Sequence, residues 1–193
     1  MPNLLVYAGP NGSGKSTITT QFRAIGQYVN ADEIKKKLNC SDIEAARIAD
    51  STREYLLKNS KDFTFETVLS THSKIDFLIK AKKNGYFITC IYVLTNNPQI
   101  NIERVRHRVS KGGHSVPVEK IVNRYIRALK LIPNLISICD ELYIYDNSSN
   151  HSEFIYNRIV SSNNSLNLSP NNNWSIDMLN QLVSGEYSDK FEN

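Results

Sequence analysis

The segment at residues 9–16 constrains the fold of this 193-residue chain more than any other part of it. It reads Gly-Pro-Asn-Gly-Ser-Gly-Lys-Ser and satisfies the pattern G-x-x-x-x-G-K-[ST]. A continuous apolar run from Leu4 to Ala8 precedes it and predicts a buried strand. A helix is predicted to follow, from Lys15 to Phe22. A strand, a glycine-rich loop and a helix in this order predict a P-loop that binds the phosphates of ATP or GTP.

Each fixed position of this loop has a physical role. The glycines allow a tight turn that aims backbone N–H groups at phosphate oxygens, and the helix N-terminus adds a partial positive charge. Lys15 is expected to reach the β- and γ-phosphates, and the Ser16 hydroxyl to bind Mg²⁺. The alternative is a glycine-rich turn that binds no ligand. The predicted nucleotide-binding residues are Gly9, Asn11, Gly12, Ser13, Gly14, Lys15, Ser16 and Thr17.

Strands and helices alternate along the rest of the chain. Further strands are predicted at 27–30, 63–69, 86–94 and 142–145, with a candidate sixth strand at 154–160. Helices are predicted at 31–38, 41–58, 74–83, 98–109 and 118–132. This order predicts an α/β protein with a P-loop NTPase or kinase fold. We expect a parallel sheet of about five strands flanked by helices, with a helical lid at residues 98–132.

The composition changes near residue 160. Residues 161–173 are almost all Ser and Asn, with one proline, Pro170, which is typical of a loop or linker outside the core. We therefore predict a kinase domain at 1–160, followed at 161–193 by a linker and a C-terminal helix or tail. The apolar runs are strand-length and too short for a membrane span. Three scattered cysteines and the lack of signal-peptide features favour a cytoplasmic protein.

The excess positive charge of the chain lies in one stretch. Residues 98–132 contain eight Lys or Arg and two acidic residues, Glu103 and Glu119, which predicts an anionic partner there. A Gly-Gly pair at 112–113 would let the two helices of this stretch close as a lid. We expect Arg108 and Arg124 to offset negative charge in the transition state. The alternative for these arginines is a solvated helix face.

Two polar clusters follow predicted strands, where ligands bind in open α/β sheets. Asp32 follows the second strand and is a candidate catalytic base or magnesium ligand, the alternative being a helix cap. Glu66, near the end of the third strand, is either a substrate contact or half of a structural ion pair. The predicted substrate-binding residues are Asn30, Glu66, Thr67, Arg104 and His114.

Seven motifs spread over residues 4–150 resemble the zeta-toxin family. They are the P-loop at 9–16, Asn-Ala-Asp at 30–32, Phe-Glu-Thr at 65–67, Lys-Asn-Gly-Tyr at 83–86, Gly-Gly-His with Pro at 112–117, Arg-Tyr at 124–125 and Tyr-Asp-Asn-Ser at 145–148. The Gly-Gly-His lid is similar to a smaller branch of the family. Two positions depart from its toxins, which usually have Gly where this chain has Thr67 and an Arg shortly before the lid proline, where this chain has His114.

This resemblance implies a P-loop kinase that uses ATP-Mg or GTP-Mg to phosphorylate a hydroxyl of UDP-N-acetylglucosamine. It implies an antitoxin protein that blocks the nucleotide site. It also implies that Asp32 is the base, Lys15 the phosphate lysine and Glu66 a contact to the sugar nucleotide, while the lid arginines clamp phosphates.

The residues alone predict a small-molecule kinase whose acceptor is a hydroxyl group, and leave two alternatives. One is an ATPase module of a larger assembly, although the Leu-Ser-Gly-Gly signature of ABC-type ATPases is absent from the sequence. The other is a nucleic-acid-binding protein that uses the basic stretch. Nucleic acid is not expected as a partner, because basic residues are not enriched elsewhere and aromatic residues do not cluster beside the arginines.

Overall fold

One sheet runs through the computed structural model, which describes residues 1–149, 151–160 and 165–191. Within these ranges the strands are β1 (Asn3–Ala8), β2 (Gln27–Val29), β3 (Phe63–Thr67), β4 (Phe87–Leu94), β5 (Glu141–Asp146), β6 (Glu153–Ile159) and β7 (Ser165–Leu168). Their order is β2-β3-β1-β4-β5-β6-β7. Neighbours from β2 to β5 pair in parallel, whereas β6 and β7 are antiparallel additions. The parallel α/β fold predicted from the sequence is confirmed. The candidate sixth strand is present as β6, and β7 is an additional strand.

Helices cover this sheet and cross its carboxyl end. In the described ranges they are α1 (Lys15–Thr19), α2 (Ala31–Leu38), α3 (Asp42–Lys58), α4 (His72–Lys83), α5 (Pro98–Ser110), α6 (Val118–Lys130), α7 (Ile132–Ile138) and α8 (Ile176–Ser184), with a 3₁₀ helix at Glu186–Phe191. None of the helices in the described part of the chain is both long enough and apolar enough to span a membrane.

Local signals explain where several helices begin. Ser41 and Glu44 form a capping box at the start of α3, and Asn97 caps α5 ahead of Pro98. The helix after the P-loop ends at Thr19, three residues before its predicted end. Its last residues are β-branched, and the Thr20 hydroxyl donates to the Thr17 carbonyl oxygen at 2.7 Å. Side-chain bonds of this kind compete with helix propagation.

The Ser/Asn-rich segment differs from the linker that its composition predicts. Residues Ser165–Leu168 form β7, which pairs with β6, while residues 161–164 lie outside the described ranges. Asn171 and Asn173 donate their side-chain amides to the carboxylate of Asp146 at 3.2 and 2.8 Å. Because Asp146 is only 1% exposed, these amides satisfy a buried charge, a role that composition does not reveal.

The C-terminal helix also packs into the main core. Trp174 is fully buried, and its ring centroid lies 4.7 Å from that of Tyr187. Leu179 and Leu182 of α8 belong to the same core cluster as β1 and β4. Residues 174–191 therefore contribute to the stability of the domain.

Replacing Trp174 with Ala should lower the free energy of unfolding by about 3–5 kcal/mol, because it leaves a large cavity in the core. Ile176, which is 46% exposed, provides the control. Ile176→Ala should change stability by no more than about 0.5 kcal/mol. Urea denaturation measures both, and equal small changes would show that the C-terminal segment packs only loosely.

Candidate active site

A cleft of about 1870 Å³ lies at the carboxyl end of the parallel strands. The P-loop, α3, α5, α6 and the segments that follow β2 and β3 form its walls. Of the predicted site residues, these line it: Asn11, Gly12, Gly14, Lys15, Ser16, Thr17, Asn30, Asp32, Glu66, Thr67, Arg104, Arg108, His114 and Arg124. Gly9 and Ser13 do not line the cleft, and both are buried. The fold thus brings together residues that are widely separated in the sequence.

Two glycines allow the P-loop to pack tightly against neighbouring parts of the domain. Gly14 has a φ of +90°, and a Cβ there would lie 2.0 Å from Nδ2 of Asn147. At Gly9 a Cβ would lie 2.0 Å from the carbonyl oxygen of Val93. Both positions exclude any larger residue. The loop joins the end of β1 to the start of α1, which is the strand-to-helix context that phosphate binding requires.

Two asparagines hold the carbonyl groups of the loop. Asn101 Nδ2 donates to the carbonyl oxygen of Asn11 at 2.7 Å, and Asn147 Nδ2 donates to that of Ser13 at 2.8 Å. The sequence did not point to Asn101, whereas Asn147 belongs to the Tyr-Asp-Asn-Ser motif at 145–148 that carries the family resemblance. A signal for Asn101 existed, because it lies four residues before the buried Val105 and so on the buried face of α5.

Lys15 is a buried cation at the floor of the cleft. Its Nζ atom donates to the carbonyl oxygens of Gly9 at 2.8 Å and Pro10 at 3.1 Å. Oε1 of Glu66 lies 3.9 Å away. Burial lowers the pKa of Lys15, while the charges of Glu66 and Asp32 raise it in part. A buried ammonium with one distant ion-pair partner favours the binding of an anion.

Glu66 is held by a network that sequence reasoning found only in part. Its Oε2 atom accepts hydrogen bonds from the Tyr28 hydroxyl at 3.0 Å and from Asn30 Nδ2 at 2.9 Å. The other oxygen faces Lys15, so the ion pair expected as an alternative is present. Glu66 still lines the cleft, which leaves it available to a ligand as well. Tyr28 was not predicted, and burial is the main cause that raises its pKa.

Asp32 does not cap the helix that it begins. The N-cap of α2 is Asn30, whose Oδ1 accepts from the backbone N–H groups of Asp32 at 2.8 Å and Glu33 at 3.4 Å. The Asp32 side chain is exposed at the cleft, with no hydrogen bond or ion pair to any described residue. Its carboxylate is therefore available to a ligand.

Arginines from the predicted lid reach the loop region. Arg124 Nη1 donates to Oδ1 of Asn11 at 3.2 Å, and Arg104 Nη1 lies 3.5 Å from the carbonyl oxygen of Ser13. Arg108 instead donates to the carbonyl oxygen of His114 at 2.9 Å, which ties α5 to the segment before α6. The two helices and their connection thus bring all four residues, Arg104, Arg108, His114 and Arg124, to the cleft.

The second helix of the lid region is anchored to the body of the domain. Tyr125 of α6 is fully buried, and its hydroxyl donates to the carbonyl oxygen of Thr95 at 2.6 Å. Ile102 and Val105 of α5 pack on Ile121 of α6 in a separate small core. The two helices thus form a fixed wall, and the connection at 111–117 is the part that carries no buried core residue except Val116.

The residues at the start of α1 fit a magnesium ion carried by a nucleotide. Ser16 is exposed in the first helical turn and lines the cleft beside Lys15. A hydroxyl oxygen is a ligand of the type that Mg²⁺ binds, and the neighbouring loop supplies the phosphate cradle. Ser16 is therefore the residue that would hold the ion.

Comparison with known proteins places the chain in a family. The family described as Zeta toxin matches residues 1–159. The chain belongs to the Zeta toxin family. An uncharacterized protein of Haemophilus influenzae (strain ATCC 51907 / DSM 11121 / KW20 / Rd) is 32% identical over 127 residues, which cover 63% of this chain and 91% of that protein.

Two groups of solved structures share the fold of this family member. The complex AvrRxo1-ORF1:AvrRxo1-ORF2 with sulphate ions matches with a TM-score of 0.73 at 15% identity, and the complex of the same proteins with ATP matches with a TM-score of 0.72. The match covers 96% of this chain but only 65% and 64% of those chains. The PezAT toxin-antitoxin system of Streptococcus pneumoniae matches with a TM-score of 0.55 at 16% identity, covering 100% of this chain and 88% of that one. With the family, these likenesses support a P-loop kinase fold.

The cap assignment gives a prediction about stability. Asn30→Ala should lower the free energy of unfolding by about 1 kcal/mol, because α2 loses its N-cap. Asp32→Ala should change it by no more than about 0.5 kcal/mol, because the exposed carboxylate makes no contact that folding needs. Urea denaturation of both variants checks this. A larger loss for Asp32→Ala than for Asn30→Ala would return the capping role to Asp32.

Proposed function

We propose that this protein is a P-loop kinase that transfers the γ-phosphate of ATP or GTP to a hydroxyl group of a small metabolite in the cytoplasm. The observation that carries the proposal is the composition of one cleft. It combines a phosphate cradle, arginines from α5 and α6, and the carboxylate of Asp32, which is not used as a helix cap. These are the groups that phosphoryl transfer needs for binding, charge stabilisation and proton removal.

The size of the cleft supports a reaction with two substrates. At about 1870 Å³ it exceeds the range of roughly 300–1,000 Å³ that is typical for one small ligand. A nucleotide on the P-loop leaves space along α3 and the segment after β3. An ATPase module needs no second substrate pocket, so this space favours the kinase over that alternative.

The donor nucleotide would bind at the P-loop. Its phosphate oxygens would accept hydrogen bonds from the backbone N–H groups of the loop and from the ammonium group of Lys15. Mg²⁺, held by Ser16, would neutralise phosphate charge when bound. Arg104 and Arg124 lie beside the loop, where they can offset the charge that shifts toward the leaving phosphate oxygen.

The acceptor would bind on the side of Asp32 and Glu66. Its hydroxyl oxygen forms a bond to the γ-phosphorus while the bond from that phosphorus to the bridging oxygen breaks. The hydroxyl proton passes to the Asp32 carboxylate, and ADP or GDP leaves. Glu66, held by Tyr28 and Asn30, is placed to accept a hydrogen bond from another hydroxyl or amide of the acceptor.

Family membership supports a more specific acceptor and partner. We propose a UDP-N-acetyl sugar as acceptor, as the resemblance implies, and a role as the toxin of a toxin-antitoxin pair. The fold likeness to the PezAT toxin-antitoxin system is consistent with an antitoxin partner. Thr67 and His114, where toxins of the family usually have Gly and Arg, would alter the contacts to that acceptor.

Asp32→Asn tests the base. The variant should bind ATP with unchanged affinity but turn over about 10²–10⁴ times more slowly, because the amide cannot take the hydroxyl proton. Lys15→Ala is the comparison, and it should lose nucleotide-dependent activity altogether. The measurements are kcat with an acceptor that supports turnover and the Kd of ATP. Unchanged kcat in Asp32→Asn would remove Asp32 from the mechanism.

Replacing both Arg108 and Arg124 with Gln tests the lid arginines. If they stabilise transition-state charge, kcat should fall by orders of magnitude, and the Kd of ATP should change much less. Arg→Lys at the same positions should restore only part of the loss, since the guanidinium fork is missing. Arg106→Gln is the control, because Arg106 is on the same helix but does not line the cleft. An unaltered kcat in the double variant would show that these arginines are a solvated face.

A further inference from the structure

The cleft has a second group of cations on the side formed by α3 and α4. Arg53 of α3 and Lys74 of α4 both line it, and neither is part of the P-loop or the lid. Both bind the carboxylate of Asp50, with Lys74 Nζ at 2.7 Å from Oδ1. Two cations therefore share one carboxylate as their ion-pair partner, and the charge of Glu54 adds a further favourable effect on Arg53.

Arg53 is unusual because it is charged and buried. Only 5% of the residue is exposed, and its guanidinium carbon lies 5.0 Å from the ring centroid of Phe65 and 5.8 Å from that of Phe77. The two rings fix the plane of the guanidinium group. Burial lowers the pKa of Arg53 to about 10, and burial together with Arg53 lowers the pKa of Lys74 to about 8. Both cations are thus under-compensated for their degree of burial.

Small residues of α3 border this pair along the cleft. Ala45, Ala49 and Arg53 are spaced by four residues along α3, and all three line the cleft. The two alanines have no side chain long enough to cover the guanidinium group. Leu69 also lines the cleft, and its φ of +52° is strained for a bulky residue and is of the kind found at binding sites.

A purely structural role would be an ion pair that ties α3 to α4. The chain already contains such a pair, because Lys80 of α4 contacts Glu54 of α3 at 2.5 Å. That pair joins one cation to one carboxylate, and neither residue lines the cleft. The cluster of Arg53, Lys74 and Asp50 differs from it in having two cations and in facing the ligand space.

We infer that Arg53 and Lys74 bind an anionic group of the acceptor, a phosphate or a carboxylate. This inference rests on the proposed function, since it assigns the α3–α4 side of the cleft to the second substrate. Arg53 provides a planar fork held by two rings, which suits a pair of anionic oxygens, and Lys74 adds a second charge. Acceptors with a free hydroxyl and a negative group should therefore be preferred over neutral sugars or alcohols.

The test uses the full chain saturated with a non-hydrolysable ATP analogue and Mg²⁺, so that the P-loop is occupied. Inorganic pyrophosphate is then titrated by calorimetry as the anionic probe. We expect one further binding event per chain, weakened at least tenfold by Lys74→Gln. Lys80→Gln, which breaks the matched α3–α4 pair outside the cleft, should change the affinity by less than twofold.

Arg53→Lys gives a second, independent variant. It keeps the positive charge but loses the planar guanidinium group, so the affinity for pyrophosphate should also fall at least tenfold. Thermal unfolding should show that the variant remains folded. Absence of the second binding event, or equal affinities in wild type and Lys74→Gln, would overturn the inference. Titration of the ATP analogue alone separates the two proposals. If the analogue does not bind, the proposed function fails and the inference fails with it, whereas loss of the pyrophosphate event alone removes only the anion site.

Discussion

A loop that turns its N–H groups toward a ligand must turn its carbonyl groups toward the protein, where each needs a donor. In this chain the donors come from both sides of the loop. Lys15 donates to the carbonyl oxygens of Gly9 and Pro10, Asn101 of α5 donates to that of Asn11, and Asn147 after β5 donates to that of Ser13. The hydrogen bonds that shape the phosphate cradle therefore also fix α5 and the end of β5 against it, and these elements define the cleft.

The position of Asn147 depends in turn on the C-terminal segment. Asn147 follows Asp146, whose buried carboxylate accepts hydrogen bonds from Asn171 and Asn173. Tyr187 reaches the same region, since its hydroxyl donates to the carbonyl oxygen of Asn96 at 2.9 Å. The family match ends at residue 159, so a segment beyond it supports Asn147, which in turn holds the P-loop. This is a physical reason for a polar sequence to be ordered, because its amides donate to one oxygen of a buried carboxylate whose other oxygen accepts from Ser148.

Local patterns were enough to predict the parallel sheet, because buried strands and amphipathic helices leave short-range periodic signals. The P-loop and the location of Asp32 and Glu66 followed from the same signals, since parallel strands end at one edge of the sheet. The supports of the site did not follow, because each joins residues far apart in the chain: Asn147 and Ser13 are separated by 134 positions, and Arg124 and Asn11 by 113. Secondary-structure propensities depend on residues a few positions apart, so they could not reveal these long-range pairs.

Asn30 explains how Asp32 and Glu66 can both lie near Lys15 and still be available to a ligand. Its Oδ1 atom caps α2, so Asp32 is not needed for that task, and its Nδ2 atom donates to Glu66. One amide therefore starts a helix and orients a carboxylate on the neighbouring strand. Burial lowers the pKa of Lys15, and both carboxylates oppose this effect by raising it. Under the proposed function, phosphates would compete with Glu66 for the ammonium group of Lys15, and Glu66 would then be available, as Asp32 already is, to the acceptor. The arrangement thus links donor binding to the readiness of the acceptor side through a single buried lysine.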